Sequence, residues 1–238
     1  MYVSTKGVVL RCYPFKDNKI IARIYTKDDG LVSFIVKKTK SQTILSQPLT
    51  IANIVYKKTK SSSMFYVKET SLNYIYKSIP YDIKKLNYSL VLSEILNKCA
   101  KEKNEILYDF IVDSFKWVDN KKTYPCGFDT LFLIKFCELL GISPFNTEIK
   151  HDQNLQLNLK EGVFIEHAGF IKKNELVPKK ESYELLKLAS QNYDELEENR
   201  ISEIENEKLF NYLLLYISNQ MVDVTNLKSI KILKEITA

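Results

Sequence analysis

Residues 19–36, KIIARIYTKDDGLVSFIV, predict a β-hairpin. Both halves are rich in Val, Ile, Tyr and Phe, and Asp28-Asp29-Gly30 separates them, where glycine supplies the positive φ of a tight turn. Further segments of the same composition, separated by polar or basic turns, lie at 4–12, 49–57 and 64–76. Five short strands in about 75 residues predict a small closed barrel, which leaves few exposed strand edges.

After Pro80 the apolar residues recur at helical spacing instead of alternating. Helices are predicted at 82–101, 105–118, 128–140, 183–191 and 203–222, with a short one from Ser229 and a hairpin at 155–166. Asp82 is placed to cap the first helix, and Gly141 to end the third. The third helix is apolar on most faces, which is typical of the centre of a bundle.

The change of periodicity predicts an α+β protein with two domains. A strand-rich domain is expected at 1–79. A helical domain is expected at 80–238, with an irregular insertion at about 145–181.

The composition of the 238 residues is that of an ordinary globular protein, with 45% hydrophobic and 27% charged residues. It argues against a wholly disordered chain and against a membrane protein. The first residues lack the pattern of a signal peptide, and none of the four cysteines forms a C-x-x-C pair. We therefore expect a reducing, cytoplasmic compartment.

Positive charge is concentrated in the first third of the chain. Residues 1–80 hold 14 Lys and Arg against 4 acids, whereas the remaining 158 residues hold 21 bases and 25 acids. This contrast indicates that the strand-rich domain meets a polyanion.

Basic and aromatic residues near the predicted strand ends suggest a groove for nucleic acid. Cations that track phosphates and rings that stack on bases are the usual means of sequence-tolerant binding. The candidate cations are Lys19, Arg23, Lys37, Lys38, Lys40, Lys57, Lys58 and Lys60, and the candidate rings are Phe34, Tyr56 and Tyr66. The alternative is that the rings belong to the barrel core and the lysines are simply solvated. Near the end of the chain, Lys228, Lys231 and Lys234 are candidates for extending a DNA path, or form a solvated helix face.

Sequence patterns of common enzymes do not occur. The chain has only six glycines and two histidines, and it lacks phosphate-loop, dinucleotide, metalloprotease and nucleophile-elbow motifs. We expect no catalytic residue and no cofactor.

Short motifs in a fixed order connect the chain with a known family. They are TKGVVL at 5–10, YTKDDGLV at 25–32, the basic run at 37–41, FCELLGISP at 136–144 and LKS at 227–229. Their order and rough spacing resemble the bacterial recombination mediator RecO over essentially the whole chain. The family's basic stretch after the third strand falls on Lys37, Lys38 and Lys40.

The resemblance implies an N-terminal OB-fold barrel followed by an α-helical C-terminal domain. It implies binding of single- and double-stranded DNA and annealing of complementary strands by a cytoplasmic, nucleoid-associated protein. The implied partners are RecR, with which the family helps load RecA, and single-strand binding protein, whose acidic tail it contacts. No membrane takes part.

One feature departs from many family members, which carry a four-cysteine zinc module after the Leu-Gly-x-x-Pro segment. Residues 145–181 contain no cysteine, and His151 and His167 alone make a poor zinc site. We therefore expect no metal.

Two other functions fit the same residues. One is a general OB-type nucleic-acid-binding module, which could act on RNA. The other is a protein-binding scaffold in which the charge is incidental.

Overall fold

The computed structural model describes residues 1–37, 39, 42–59, 63–145, 154–166, 169, 171–196 and 201–231. Two compact units make up the chain. The first consists of residues 1–122 together with the segment that starts at Leu227, and the second is Thr123–Asn226. The domain boundary predicted between residues 79 and 80 marks the change from strands to helices and not a division into compact units, and it stays a prediction.

Five strands close into a barrel in the order β1-β2-β3-β5-β4. They are β1 (Tyr2–Phe15), β2 (Lys19–Thr26), β3 (Gly30–Lys37), β4 (Ile51–Lys57) and β5 (Met64–Leu72). All neighbouring strands are antiparallel except β3 and β5, which run parallel. The predicted barrel is confirmed, and with the helices that follow it the fold is an OB-fold barrel joined to a helical region.

The barrel encloses its own apolar core. Alternate residues of β2 and β3 point inward, among them Ile24 and Phe34, and Ile54 and Tyr56 meet them from β4. Leu45, on a short 3-10 turn at Thr43–Ser46, is fully buried and joins this core. Each such side chain contributes about 1.5–3 kcal/mol on leaving water, which favours one register over its one-residue slip.

The turn between β2 and β3 confirms the role predicted for Gly30. Its φ is +68°, and a Cβ at this position would lie 2.6 Å from the carbonyl oxygen of Lys101. The loop after the first helix can pack this closely against the turn because Gly30 has no Cβ. Leu31 N–H donates to that same Lys101 oxygen at 3.0 Å.

Two helices follow the barrel in the first unit, α1 (Ile83–Cys99) and α2 (Glu105–Asn120). Asp82 caps α1 as predicted, because its side chain accepts from Lys85 N–H at 3.0 Å. Ser93 Oγ on α1 donates to the carbonyl oxygen of Leu10 at 2.8 Å, which fixes the helix to β1.

Asp119, near the end of α2, holds the segment between barrel and helices. Its buried carboxylate accepts the backbone N–H groups of Lys77, Ser78 and Ile79 at 2.8–3.1 Å. It also accepts the Tyr74 hydroxyl at 2.9 Å. Burial acts to raise the pKa of Asp119, but these bonds outweigh it and hold the pKa below its ordinary value.

Three α-helices and a small hairpin lie in the described residues of the second unit. They are α3 (Phe128–Leu139), α4 (Lys179–Ala189), α5 (Glu203–Gln220), β6 (Gln156–Asn158) and β7 (Val163–Ile165). The predicted hairpin is confirmed, and α3 is buried on nearly every face as expected of a central helix.

A buried polar group joins α3 to α5. Asn206 donates to the Asp129 carboxylate at 2.9 Å and accepts from Thr130 Oγ1 at 2.6 Å. Tyr124 donates to the same carboxylate at 2.8 Å. Because Asp129 is fully buried, its pKa is raised to about 6 despite these bonds.

In the part of the chain that the structure describes, no helix is long and apolar enough to cross a membrane.

Candidate nucleic-acid interface

A row of apolar and aromatic side chains crosses the outer face of the barrel. Tyr13 on β1 pairs with Ile21 on β2, Ile21 with Ile35 on β3, and Ile35 with Tyr66 on β5. Directly paired residues share a face of the sheet, so the row is continuous over four strands. Tyr13 is 37% exposed and Tyr66 is 53% exposed, which leaves ring surface available to a ligand.

Cations flank this row on both sides. On one side, the neighbouring row of outward-facing residues consists of Phe15, Lys19 and Lys37. These three are partners in the strand register of β1, β2 and β3. On the other side Arg23 lies beside its strand partner Arg11, whose charge is partly neutralised by an ion pair with Glu94 at 2.6 Å. Phosphates of a single strand whose bases stack on Tyr13 and Tyr66 would therefore meet positive charge on either side.

Four of the predicted site residues come together on this face. Lys19, Arg23, Lys37 and Tyr66 all lie within two positions of the Tyr13–Tyr66 row. The end of β3 is held in place by Gln42, whose side chain accepts from Lys37 N–H at 2.9 Å and donates to Val67 O at 3.2 Å.

Phe34 and Tyr56 require a correction. Both are 0% exposed and lie inside the barrel, where their rings meet edge to face with centroids 5.0 Å apart. A ring with no exposed face cannot stack on a base. The inward positions of β3 and β4 assign both rings to the core, as the alternative interpretation held.

The two basic loops do not start side by side. Lys37 pairs with Lys19 at the Phe15 end of β1, whereas Lys57 pairs with Tyr2 at the opposite end. Lys58 forms an ion pair with Asp29 in the β2–β3 turn, so part of its charge is already neutralised. The remaining predicted cations, Lys38, Lys40 and Lys60, lie outside the described residues, as do His151 and His167.

Sequence reasoning missed the aromatic residues at the end of β1. Tyr13 and Phe15 alternate with Pro14, and that alternation was the available signal. The strand was expected to stop at residue 12 because proline usually ends a strand. Pro14 is tolerated because β1 pairs with β4 only as far as Val8, so beyond that point one edge of the strand needs no ladder donors.

Arg23 and Lys101 form a positive spot beside the row. Within the described chain, Arg23 Nε is buried without a hydrogen-bond partner. Burial, and after it the charge of Arg23, lower the pKa of Lys101, whose Nζ donates to Asn97 O at 2.6 Å. An incoming anion such as a phosphate would relieve the repulsion between Lys101 and Arg23.

The described residues contain no group of three His, Cys, Asp or Glu that could hold a metal ion. The closed five-stranded barrel, joined to a helical region, places the chain in the class of OB-fold proteins. The family model described as recombination protein O N terminal matches residues 1–76, and the model described as recombination protein O C terminal matches residues 80–229. The chain belongs to the RecO family of DNA repair and recombination proteins.

Individual relatives agree with this assignment. The chain is 27% identical over 247 residues to the DNA repair protein RecO of Phocaeicola vulgatus, covering 99% of each chain. It is 26% identical over 244 residues to the protein of that name from Flavobacterium psychrophilum, again covering 99% of each. A Thermoanaerobacter protein of the same name matches over 148 residues at 26% identity, covering 60% of this chain and 59% of the relative.

Proposed function

We propose that this protein is a non-enzymatic recombination mediator that binds single- and double-stranded DNA and anneals complementary strands. With RecR, it helps load RecA onto DNA coated by single-strand binding protein, whose acidic tail it contacts. It acts in the cytoplasm, where the DNA is. The observation that carries the proposal is the row from Tyr13 to Tyr66 between two sets of cations, in a chain of the RecO family.

Annealing follows from the chemistry of such a face. Two strands repel each other through their phosphates, and bound cations such as Lys19, Arg23 and Lys37 reduce that repulsion. Ring stacking engages the faces of bases and leaves their Watson–Crick edges free to find a complement. The protein then needs only to hold the strands, so no covalent step and no cofactor enter the mechanism.

The partner contacts are assigned to the helical domain. A mediator must engage a coated strand and its coat together, and the barrel face is occupied by DNA in this proposal. The acidic tail of the coat would need an apolar surface rimmed by Lys or Arg, a type of recognition that helical surfaces provide.

The test is annealing of two complementary oligonucleotides that are already coated with the cognate single-strand binding protein. We expect acceleration beyond that produced by an equally basic control protein. A variant with Tyr13→Ala and Tyr66→Ala should anneal more slowly while keeping its thermal melting temperature, because both rings are exposed. No acceleration, with naked strands still bound, would reduce the function to that of a general nucleic-acid-binding module. Tighter binding of RNA than DNA would point to the same alternative.

A further inference from the structure

We infer that residues 227–231, which Glu94 on α1 holds through Ser229, form a second phosphate-binding element, with Lys228 and Lys231 extending the DNA site beyond the barrel. The inference rests on the proposed DNA binding and names where a longer strand runs.

The segment is anchored by apolar burial and by one carboxylate. Leu227 is 2% exposed and Ile230 is 4% exposed. Glu94 on α1 accepts both the backbone N–H and the hydroxyl of Ser229, at 3.0 and 2.6 Å. These contacts define the orientation of the segment instead of leaving it as a loose basic tail.

The same carboxylate connects the segment with the barrel face. Glu94 Oε1 accepts from Arg11 at 2.6 Å while Oε2 holds Ser229. Burial acts to raise the pKa of Glu94, but the bonds from Ser229 and Arg11 outweigh it and keep the group ionised. Glu94 is thus a positioning residue that places the segment next to an arginine of the interface.

The lysines of the segment point away from its anchor. Residues 228–231 are helical, and Lys231 N–H donates to Leu227 O at 3.3 Å. Leu227 and Ile230, three residues apart, occupy the packed side, whereas Lys228 and Lys231, also three apart, are exposed. Lys234 lies outside the described residues.

Glu94 lies between the cations of the barrel face and the lysines of the segment, and its ion pair neutralises part of the charge of Arg11. Lys101 interacts electrostatically with Arg23, Arg23 pairs with Arg11, and Arg11 shares Glu94 with the segment that carries Lys228. The exposed Lys228 and Lys231 would offer a phosphate backbone further positive charge on the far side of Glu94. A partly apolar acidic peptide fits less well, because the apolar side chains of the segment, Leu227 and Ile230, are already buried.

The first experiment measures the salt dependence of binding to a single-stranded oligonucleotide long enough to pass the barrel. For Lys228→Gln with Lys231→Gln we expect the log–log slope to become shallower by about 1.4, since each phosphate contact on a single strand contributes roughly 0.7. Lys160→Gln with Lys187→Gln, two exposed lysines of the second unit, is the control with the same change of charge. An equal change of slope in both variants would mean that only net charge matters, and would overturn the inference.

The second experiment tests docking without changing charge. Ile230→Ser removes an apolar anchor but keeps every cation, and the slope should again become shallower by up to about 1.4. Wild-type binding by Ile230→Ser, with the barrel shown to be folded by its thermal melt, would overturn the role of docking.

The outcomes separate this inference from the proposed function. If wild-type protein binds no DNA, the proposed function fails. If it binds DNA and Tyr13→Ala with Tyr66→Ala weakens binding while Lys228→Gln with Lys231→Gln does not, the extension alone fails. Loss of affinity for an acidic peptide, with DNA binding unchanged, would identify the segment as a protein-docking site and overturn the inference.

Discussion

Replacing Asp119 with Ala is expected to destabilise the first unit far more than the loss of an exposed carboxylate elsewhere on α2. The carboxylate accepts three consecutive backbone N–H groups, from Lys77, Ser78 and Ile79, and the Tyr74 hydroxyl. Asp119 is 2% exposed, so its removal leaves these donors without a partner at the joint between barrel and helices.

The magnitude follows from the number of donors. A buried donor that loses its partner costs about 1–3 kcal/mol, and three of them would cost up to about 9. Lys77 is exposed and Ser78 is partly exposed, so water can reach some of the vacated positions. We therefore expect a loss of about 3–5 kcal/mol, a large share of the 5–15 kcal/mol of an ordinary domain.

Trp117, the sole tryptophan, lies two residues from Asp119 on the same helix and reports the unfolding of this unit by fluorescence in urea. Asp113→Ala removes the same charge from the exposed side of α2 and is the matched control. It should change the free energy of unfolding by less than about 0.5 kcal/mol.

The pH dependence supplies an independent check. The pKa of Asp119 is lowered in the folded state, so its stabilisation is fully present above the unfolded value and is lost as pH falls through the folded value. The difference in the free energy of unfolding between wild type and Asp119→Ala should therefore become smaller in acid. A difference below about 1 kcal/mol at neutral pH, or one equal to that of Asp113→Ala, would refute the reasoning.

Three further predictions concern the interface, the second unit and the hairpin turn. Tyr66→Ala should weaken single-strand binding by about 1–3 kcal/mol in fluorescence anisotropy, whereas Tyr81→Ala, also an exposed tyrosine, should leave the Kd unchanged. The pKa of Asp129 is raised to about 6 in the folded state. The stability that its protonation gives the second unit is therefore fully present below the ordinary pKa of the group and is lost as pH rises through 6. The free energy of opening of α3, measured by amide hydrogen exchange and corrected for the intrinsic effect of pH on exchange, should therefore fall by about 3 kcal/mol between pH 4 and 7. Asp129→Asn should abolish this pH dependence. Gly30→Ala should lower the urea midpoint more than Gly141→Ala, since both have positive φ but only at Gly30 would the new Cβ meet backbone, at 2.6 Å; equal midpoints would contradict the steric argument.

The elements themselves were predictable because their signals are local. The turn at Gly30, the cap at Asp82 and the buried helix that begins at Phe128 each depend on residues within a few positions of one another. The end of β1 was predicted wrongly for the opposite reason. Whether Pro14 breaks the strand depends on which of its edges is paired, and that is determined by the distant β4.

For the proposed interface, the sequence predicted the positive charge but not which side chains share a surface. Lys19, Arg23 and Lys37 were predicted from the basic bias of the first third, and their role in binding stays a prediction. Phe34 and Tyr66 looked equivalent, because alternation along a strand defines two faces without stating which one is enclosed.

Sequence alone determined the barrel, the helices, the separation of charge and the family, since each depends on composition, period or order along the chain. Tertiary structure alone decided which residues stand together. The parallel pairing of β3 with β5 puts Tyr66 next to Ile35, and Glu94 brings Ser229 to Arg11 across 135 and 83 residues of chain respectively. Such pairings depend on which surfaces can close a core together, a property of the folded chain that no local pattern encodes.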